Sequence, residues 1–217
     1  MSSTYRPRPM AFLEPRLVRE FGGFHGARGW CEYRFMVFPV VLPDELQRGQ
    51  VLLRALREDD WRLEYDLSRV PDVPQWTHLP PDIDEARARR VMERTKEGHQ
   101  QRIAGRYAVV VNDEVLGTAG MAWREGPEPA VSYALKPTGR GRGLATESVR
   151  VLAEWMFGQG IGFVALQTLS GNTASERVAE RAGFYSTGLY AGTQHGRPVQ
   201  LNYWRRRADS FTVQPGR

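Results

Sequence analysis

The sequence predicts a single α/β domain built on a mixed sheet, with its elements in the order β-α-α-β-β-β-α-β-α-β-β. Three observations lead there. From Val51 onward, short apolar runs of strand character alternate with segments of helical period. Asn112-Asp113 separates two such runs as a hairpin turn, and the glycine-rich Pro137-Thr138-Gly139-Arg140-Gly141-Arg142-Gly143 joins a strand to an apolar helix.

Val51-Leu52-Leu53-Arg54-Ala55-Leu56 reads as the first strand. Glu58-Asp59-Asp60 opens a helix carrying Trp61, Leu63, Tyr65 and Leu67, with its acids at the end where the helix dipole favours them. Pro71, Pro74, Pro80 and Pro81 make the next stretch a loop. Asp82 or Asp84 caps a second helix running to Gln100; it carries Ala86, Val91 and Met92 and is otherwise mostly charged, which places it at the surface. Arg106 to Val111 and Glu114 to Trp123 form the hairpin, because Asn and Asp both tolerate positive φ. Ala130 to Leu135 is a further strand, followed by a helix with Leu144, Val149, Leu152, Ala153 and Met156 that Gly158 and Gly160 stop. Phe163 to Leu169 flanks that helix on its other side, so Ala130–Leu135 and Phe163–Leu169 are candidates for a parallel pair with a right-handed crossover. Asn172 to Ala182 is a helix closed by Gly183, and Phe184 to Tyr190 pairs with Pro198 to Trp204 around His195-Gly196. Residues 1–45 read as an irregular extension, 46–208 as the domain and 209–217 as a tail. Met36 precedes what looks like the usual lead-in to a domain, which makes the first 35 residues a candidate upstream addition.

With 217 residues, 41% of them hydrophobic, the chain can bury a sizeable core. Cys31 is its lone cysteine, which excludes an internal disulfide framework, and no run of about 18 apolar residues offers a membrane span. With no secretory pattern at the N-terminus, a cytoplasmic location is the default. The net charge of +5 raises nucleic acid as a partner, but there is no zinc-finger spacing, no RNP-type aromatic motif and no basic run beyond Arg205-Arg206-Arg207, so that reading ranks last. The charge is unevenly spread: residues 51–84 hold 4 basic against 8 acidic residues, and residues 101–217 hold 14 against 9.

Chemistry concentrates in the glycine-rich turn. Glycines there let successive backbone N–H groups curl around an anion, and the following helix adds its positive N-terminal end, so strand, turn and helix together suit a pyrophosphate. Arg140 and Arg142 would add charge-assisted contacts. The bland alternative is a tight turn that binds nothing. A Gly-Lys-Ser/Thr phosphate loop is absent, and the segment lies too late in the chain for a dinucleotide fold.

Arg140-x-x-Gly143-x-Ala145 matches the Gln/Arg-x-x-Gly-x-Gly/Ala motif of the GNAT N-acetyltransferases, and Ala145-Thr146-Glu147 continues as in their ribosomal-protein N-terminal acetyltransferase branch, the RimJ/RimL type. Asn172-x-x-Ser175, running on to Gly183-Phe184, resembles the second motif of that family. The resemblance spans residues 42–206. It implies the GNAT fold, a mixed, mostly antiparallel twisted sheet of about seven strands with flanking helices. It also implies acetyl-CoA as acyl donor, with no metal: the pyrophosphate on the amides of Gly141, Arg142, Gly143, Leu144, Ala145 and Thr146, the pantetheine along the edge of the strand ending at Leu135, and Asn172 bonded to that arm. Asn172 also opens a helix and suits an N-cap.

For catalysis, the resemblance implies direct attack by a primary amine in a ternary complex. The Tyr that many members carry on the second-motif helix is Ala179 here, and Ser175 stands where the RimJ/RimL branch proposes a Ser as acid for the thiolate. The general base is open: Glu128, His78, His195 or a water relay could serve. Trp76, Trp123, Tyr133, Tyr190 and Tyr203 come from segments that line the acceptor groove in relatives. The acceptor is a protein N-terminus or a small-molecule amine, and the enzyme a monomer or homodimer. The competing function is a GNAT-like module that binds acyl-CoA without turnover.

Overall fold

The computed structural model describes residues 37–123 and 128–209. Most of the expected N-terminal extension and nearly all of the tail lie outside the described residues. The strands are β1 (Glu45–Arg48), β2 (Val51–Ala55), β3 (Ala104–Val111), β4 (Glu114–Ala122), β5 (Ala130–Leu135), β6 (Phe163–Leu169), β7 (Tyr185–Gln194) and β8 (Arg197–Arg207). The helices are α1 (Trp61–Leu67), α2 (Asp72–Trp76), α3 (Glu85–Gln100), α4 (Leu144–Gly158) and α5 (Thr173–Arg181). All eight strands join one sheet in the order β1-β2-β3-β4-β5-β6-β8-β7. Its neighbours are antiparallel except β5 and β6, which α4 connects as a parallel pair.

Period-2 alternation sorts the core onto the two faces of this sheet. Tyr107, Val109 and Val111 of β3 face the main cluster, where Leu144, Val149, Leu152 and Met156 of α4 and Ala179 of α5 pack. Ala108 and Val110 face a smaller cluster with Leu63 and Leu67 of α1 and Val73 of α2. Phe38 and Leu42, upstream of the expected domain start at residue 46, are buried in the main cluster.

Two elements depart from the sequence reading. A short β1 pairs with β2 from Glu45↔Arg54 to Arg48↔Val51; its four residues, with Leu46 alone apolar, carried no apolar run to reveal it. α2 forms inside the proline-rich stretch expected to be a loop. Pro71 precedes its first residue and Pro74 lies in its first turn, where backbone N–H groups have no intrahelical acceptor to lose. Both hairpin turns are built as read, with Asn112, Asp113, His195 and Gly196 at positive φ.

Candidate active site

The site begins where the parallel pair comes apart. β5 and β6 are in register only at Ala130↔Ala165 and Val131↔Leu166. Beyond Val131, β5 stays on β4 as far as Leu135↔Gly117, while β6 follows β8 as far as Leu169↔Leu201. The strands diverge, leaving one backbone edge of Ser132–Leu135 unpaired along an open slot. Gly117 helps to hold that slope: a Cβ there would stand 2.3 Å from the Ala134 carbonyl oxygen and 2.8 Å from Leu135 Cα, so only glycine lets the end of β5 lie this close to β4. Leu116 is an extra residue in β4, between the pairs Val109↔Gly117 and Val110↔Val115. Its carbonyl accepts from Lys136 N at 2.8 Å and steers the chain out of β5 into the turn at Pro137–Gly139.

That turn delivers the glycine loop to the wide end of the slot. Gly141 and Gly143 have φ of +74° and +76°, and residues 140–143 are exposed. Gly143 is the N-cap of α4 and brings no capping side chain, so the N–H groups of the first turn keep their donors. Leu144, Ala145 and Thr146 bury their side chains under the sheet, so what they can present to an anion is backbone.

The two loop arginines differ. Arg142 makes no hydrogen bond or ion pair among the described residues. Arg140, expected to hold phosphate with its side chain, is already engaged: Nε and one terminal nitrogen donate to the Leu135 carbonyl at 3.2 and 3.1 Å, and the guanidinium forks onto Asp72 at 2.7 and 3.0 Å. The Leu135 carbonyl is therefore occupied as well.

On the opposite wall, Asn172 Oδ1 accepts from Ser175 N at 3.1 Å, so the N-cap reading holds. Ser175 lies in the first turn of α5, and Ala179 one turn later is fully buried. Burial pushes the Tyr133 phenol above its ordinary range, with Ser175 pulling the other way.

The candidate bases are scattered. β5 begins at Ala130, so Glu128 does not share its pleat. Its carboxylate, 4% exposed, is bound by Arg205 Nε at 2.8 and 2.9 Å at the closed end of the slot. Burial and the Glu128 charge push the neighbouring Tyr203 phenol up to about 12. Tyr203 stands edge-on to the exposed Tyr190, ring centroids 5.8 Å apart. His78 is exposed in the bend after α2. A ring nitrogen of His195 lies 3.0 Å from the Pro74 carbonyl, while Gln194 donates to the Gln75 and Thr77 carbonyls at 3.0 and 2.8 Å; the β7–β8 turn thus fastens α2, and His195 is employed structurally. Of the expected groove aromatics, Trp123 is core and Trp76 half-buried.

Local pattern gave no sign of Asp72 or Arg205 as partners. The parity of Val131, Tyr133 and Leu135 on one face of β5 was the available sign that Tyr133 points into the main core. Among the described residues, no group of three or more His, Cys, Asp or Glu could hold a metal ion, and no helix is long and apolar enough to cross a membrane.

A splayed parallel pair opening onto a glycine cradle and a helix N-terminus defines an acyltransferase that takes its acyl group from coenzyme A. Residues 50–185 match the acetyltransferase (GNAT) domain, and the chain belongs to this family of acetyl-CoA-dependent N-acetyltransferases. Its fold is similar to that of RimL, a ribosomal L7/L12 alpha-N-protein acetyltransferase in complex with coenzyme A: 20% identity, TM-score 0.68, 77% of this chain and 99% of that one. Microcin C7 self-immunity acetyltransferase MccE, in complex with acetyl-CoA and AMP, matches at 15% identity and TM-score 0.70 over 77% and 98%. The ribosomal-protein-S5-alanine acetyltransferase from Vibrio fischeri matches at 17% identity and TM-score 0.64 over 77% and 98%. No curated protein sequence matches the chain.

Proposed function

We propose that this enzyme is a cytoplasmic, RimJ/RimL-like acetyltransferase, monomeric or homodimeric, acting on a protein N-terminus or a small-molecule primary amine. The observation that carries the reading is the slot: a parallel pair in register over two positions only, with a glycine cradle and an uncapped helix N-terminus at its wide end.

Acetyl-CoA supplies the acetyl group. The amides of Gly141 to Thr146 receive its pyrophosphate, with Arg142 free to add charge. The open edge of Ser132–Leu135, short of the carbonyl that Arg140 occupies, receives the pantetheine amides as a sheet receives a strand, and the side-chain amide nitrogen of Asn172 donates to that arm while Oδ1 caps α5. Ser175 donates to the departing thiolate. Glu128, at the closed end of the slot, accepts the amine's proton directly or through water, with His78 as the alternative base. An N-terminal amine, with pKa near 8, is already partly neutral at physiological pH and asks little of a base.

The test is thiol release from acetyl-CoA across a panel of peptides with free N-termini and small-molecule amines. Release that depends on one amine class identifies the acceptor; tight coenzyme A binding with no release on any amine would leave a binding module instead.

A further inference from the structure

Arg106 and Glu64 form an ion pair that the chemistry of the slot leaves unused. Arg106 lies on the same face of β3 as Ala108 and Val110, and its Nη2 donates to Oε1 of Glu64 on α1. The pair is lopsided: the Glu64 side chain is 3% exposed and that of Arg106 33%. The other N–H groups of the guanidinium donate to nothing among the described residues. What the pair offers solvent is therefore a cation with unspent donors. Stability alone is a weak reason to keep it, because well-packed apolar residues in place of such a pair are often neutral or better.

The pair also stands in line with the slot. Register sets Arg106 opposite Gly120 of β4, and Gly120 opposite Ser132 of β5, the first residue past the last β5–β6 pair. Ser132 is exposed, and its hydroxyl bonds to no described residue. Gly120 is in mid-strand, where glycine weakens a sheet and often marks the close approach of a ligand. A Cβ there would stand 3.3 Å from Arg106 Cγ and 3.6 Å from Ser132 Oγ. Without that Cβ, the Arg106 stem leans over β4 toward the slot.

We infer that Arg106 selects the acceptor: it binds a carboxylate carried by the amine substrate, whose nitrogen enters the slot past Ser132, while Glu64 holds the guanidinium from behind. The inference rests on the reading of the slot given above. A guanidinium has five N–H donors, enough for two carboxylates. β3 lies two strand spacings from β5, about 9–10 Å, and the lean of the stem shortens the gap, so nitrogen and carboxylate should be roughly 5–9 Å apart. A free α-amino acid, with about 3 Å between the two, does not bridge it. A peptide with Asp or Glu as its second residue does, and so does an ω-amino acid of five or six carbons. Arg106 touches no reacting atom; its part is specificity.

The test uses the full chain and matched acceptors: peptides alike except for Glu, Ala or Lys at the second residue, and the six-carbon ω-amino acid against the alkylamine of the same length. Wild type should favour the acid-bearing member by roughly tenfold or more in kcat/KM, through KM, with the Lys peptide poorest. The pair that shows the preference identifies the source of the carboxylate. Changing Glu64→Gln and Arg106→Gln together removes both charges and strands neither. The preference should then shrink to within about twofold, while calorimetric coenzyme A affinity stays within about threefold. Arg106→Lys, which keeps the charge beside Glu64 but loses the fork, should cut the preference severalfold. An ion pair that served structure alone would change Tm and leave the preference intact. No preference in either wild-type pair, or one that survives the double change, overturns the inference while coenzyme A binding keeps the slot. A wild type that neither binds coenzyme A nor releases thiol removes the slot reading, and this inference with it.

Discussion

Gly143 serves the helix and the proposed phosphate cradle at once, and two substitutions separate the roles. Its φ is +76°, and a Cβ there would meet no atom within 4 Å, so replacement costs backbone strain and no packing. For alanine that strain is roughly 1–2 kcal/mol. At roughly 2–4 °C per kcal/mol for a domain of this size, Tm should fall by roughly 2–8 °C. Aspartate tolerates the left-handed region better and gains about 0.5 kcal/mol from the α4 dipole, so Gly143→Asp should cost under about 1 kcal/mol of stability. Affinity for coenzyme A should follow the opposite order. A carboxylate about 5 Å from a phosphate opposes it by about 3 kcal/mol at an effective dielectric constant of about 20, on the order of a hundredfold in Kd. Alanine adds only a methyl group and should cost about tenfold or less. Thermal melts and calorimetric titration of coenzyme A measure the two orders independently, and rising salt should shrink the aspartate penalty. If Gly143→Asp stays folded and binds within about threefold of wild type, the cradle is not at Gly143.

Gly117→Ala drives a methyl into the Ala134 carbonyl, so β5 must shift toward the slot; it should cost roughly 1–3 kcal/mol and weaken coenzyme A, and affinity retained at full strength would refute the slot's dependence on that close approach. Glu128→Gln breaks its pair with Arg205, which is 31% exposed; denaturant melts should lose about 2 kcal/mol, and kcat should drop with little change in coenzyme A affinity, whereas unaltered turnover would return Glu128 to a structural role. Stability should be flat between about pH 5 and pH 9 and fall on either side. On the acid side, burial raises Asp60 and Glu147, but the arginines around them (Arg54 and Arg57; Arg48 and Arg150) outweigh it and hold both below their ordinary values. Their contribution is complete above about pH 5 and is lost as pH falls through the lowered folded values. On the alkaline side, burial raises Tyr107, Tyr133 and Tyr203, the last to about 12. Their contribution holds below about pH 10 and is lost as pH climbs toward about 12. Melts across pH check both limbs, and a loss that begins near pH 8 would contradict the alkaline one.

What was legible in the sequence followed local rules. Ala130–Leu135 and Phe163–Leu169 were delimited correctly because glycine, proline and the apolar run changed together at their ends. Asn112-Asp113 was read through its tolerance of positive φ. β1 escaped because its residues alternate between exposed and half-buried, and α2 because proline counts against a helix everywhere except in its first turn. The partners of the site residues were beyond any local pattern: Arg140 meets Asp72 at a separation of 68 residues, and Arg205 meets Glu128 at 77. Such pairings are decided by the fold once it has formed. They changed the chemistry available to Arg140, Glu128 and His195.

The same pairings revise the meaning of the charge. In sequence, the acidic stretch and the basic stretch suggest two separate fields, carboxylates for an amine and arginines for phosphates. In the fold they meet at the wide end of the slot: Asp66 binds Lys136 at 3.2 Å and Asp72 binds Arg140 at 2.7 Å. The net +5 is therefore not spread as free cations over the cradle, and in the proposed function the pull on a pyrophosphate comes chiefly from oriented amides, the α4 N-terminus and Arg142. The Arg140–Asp72 pair is 39% and 44% exposed, so it contributes no more than about 1 kcal/mol. In the proposed function, a dianion arriving beside Arg140 competes with Asp72 for the guanidinium. Asp72 and the Leu135 carbonyl hold the Arg140 guanidinium at the end of β5.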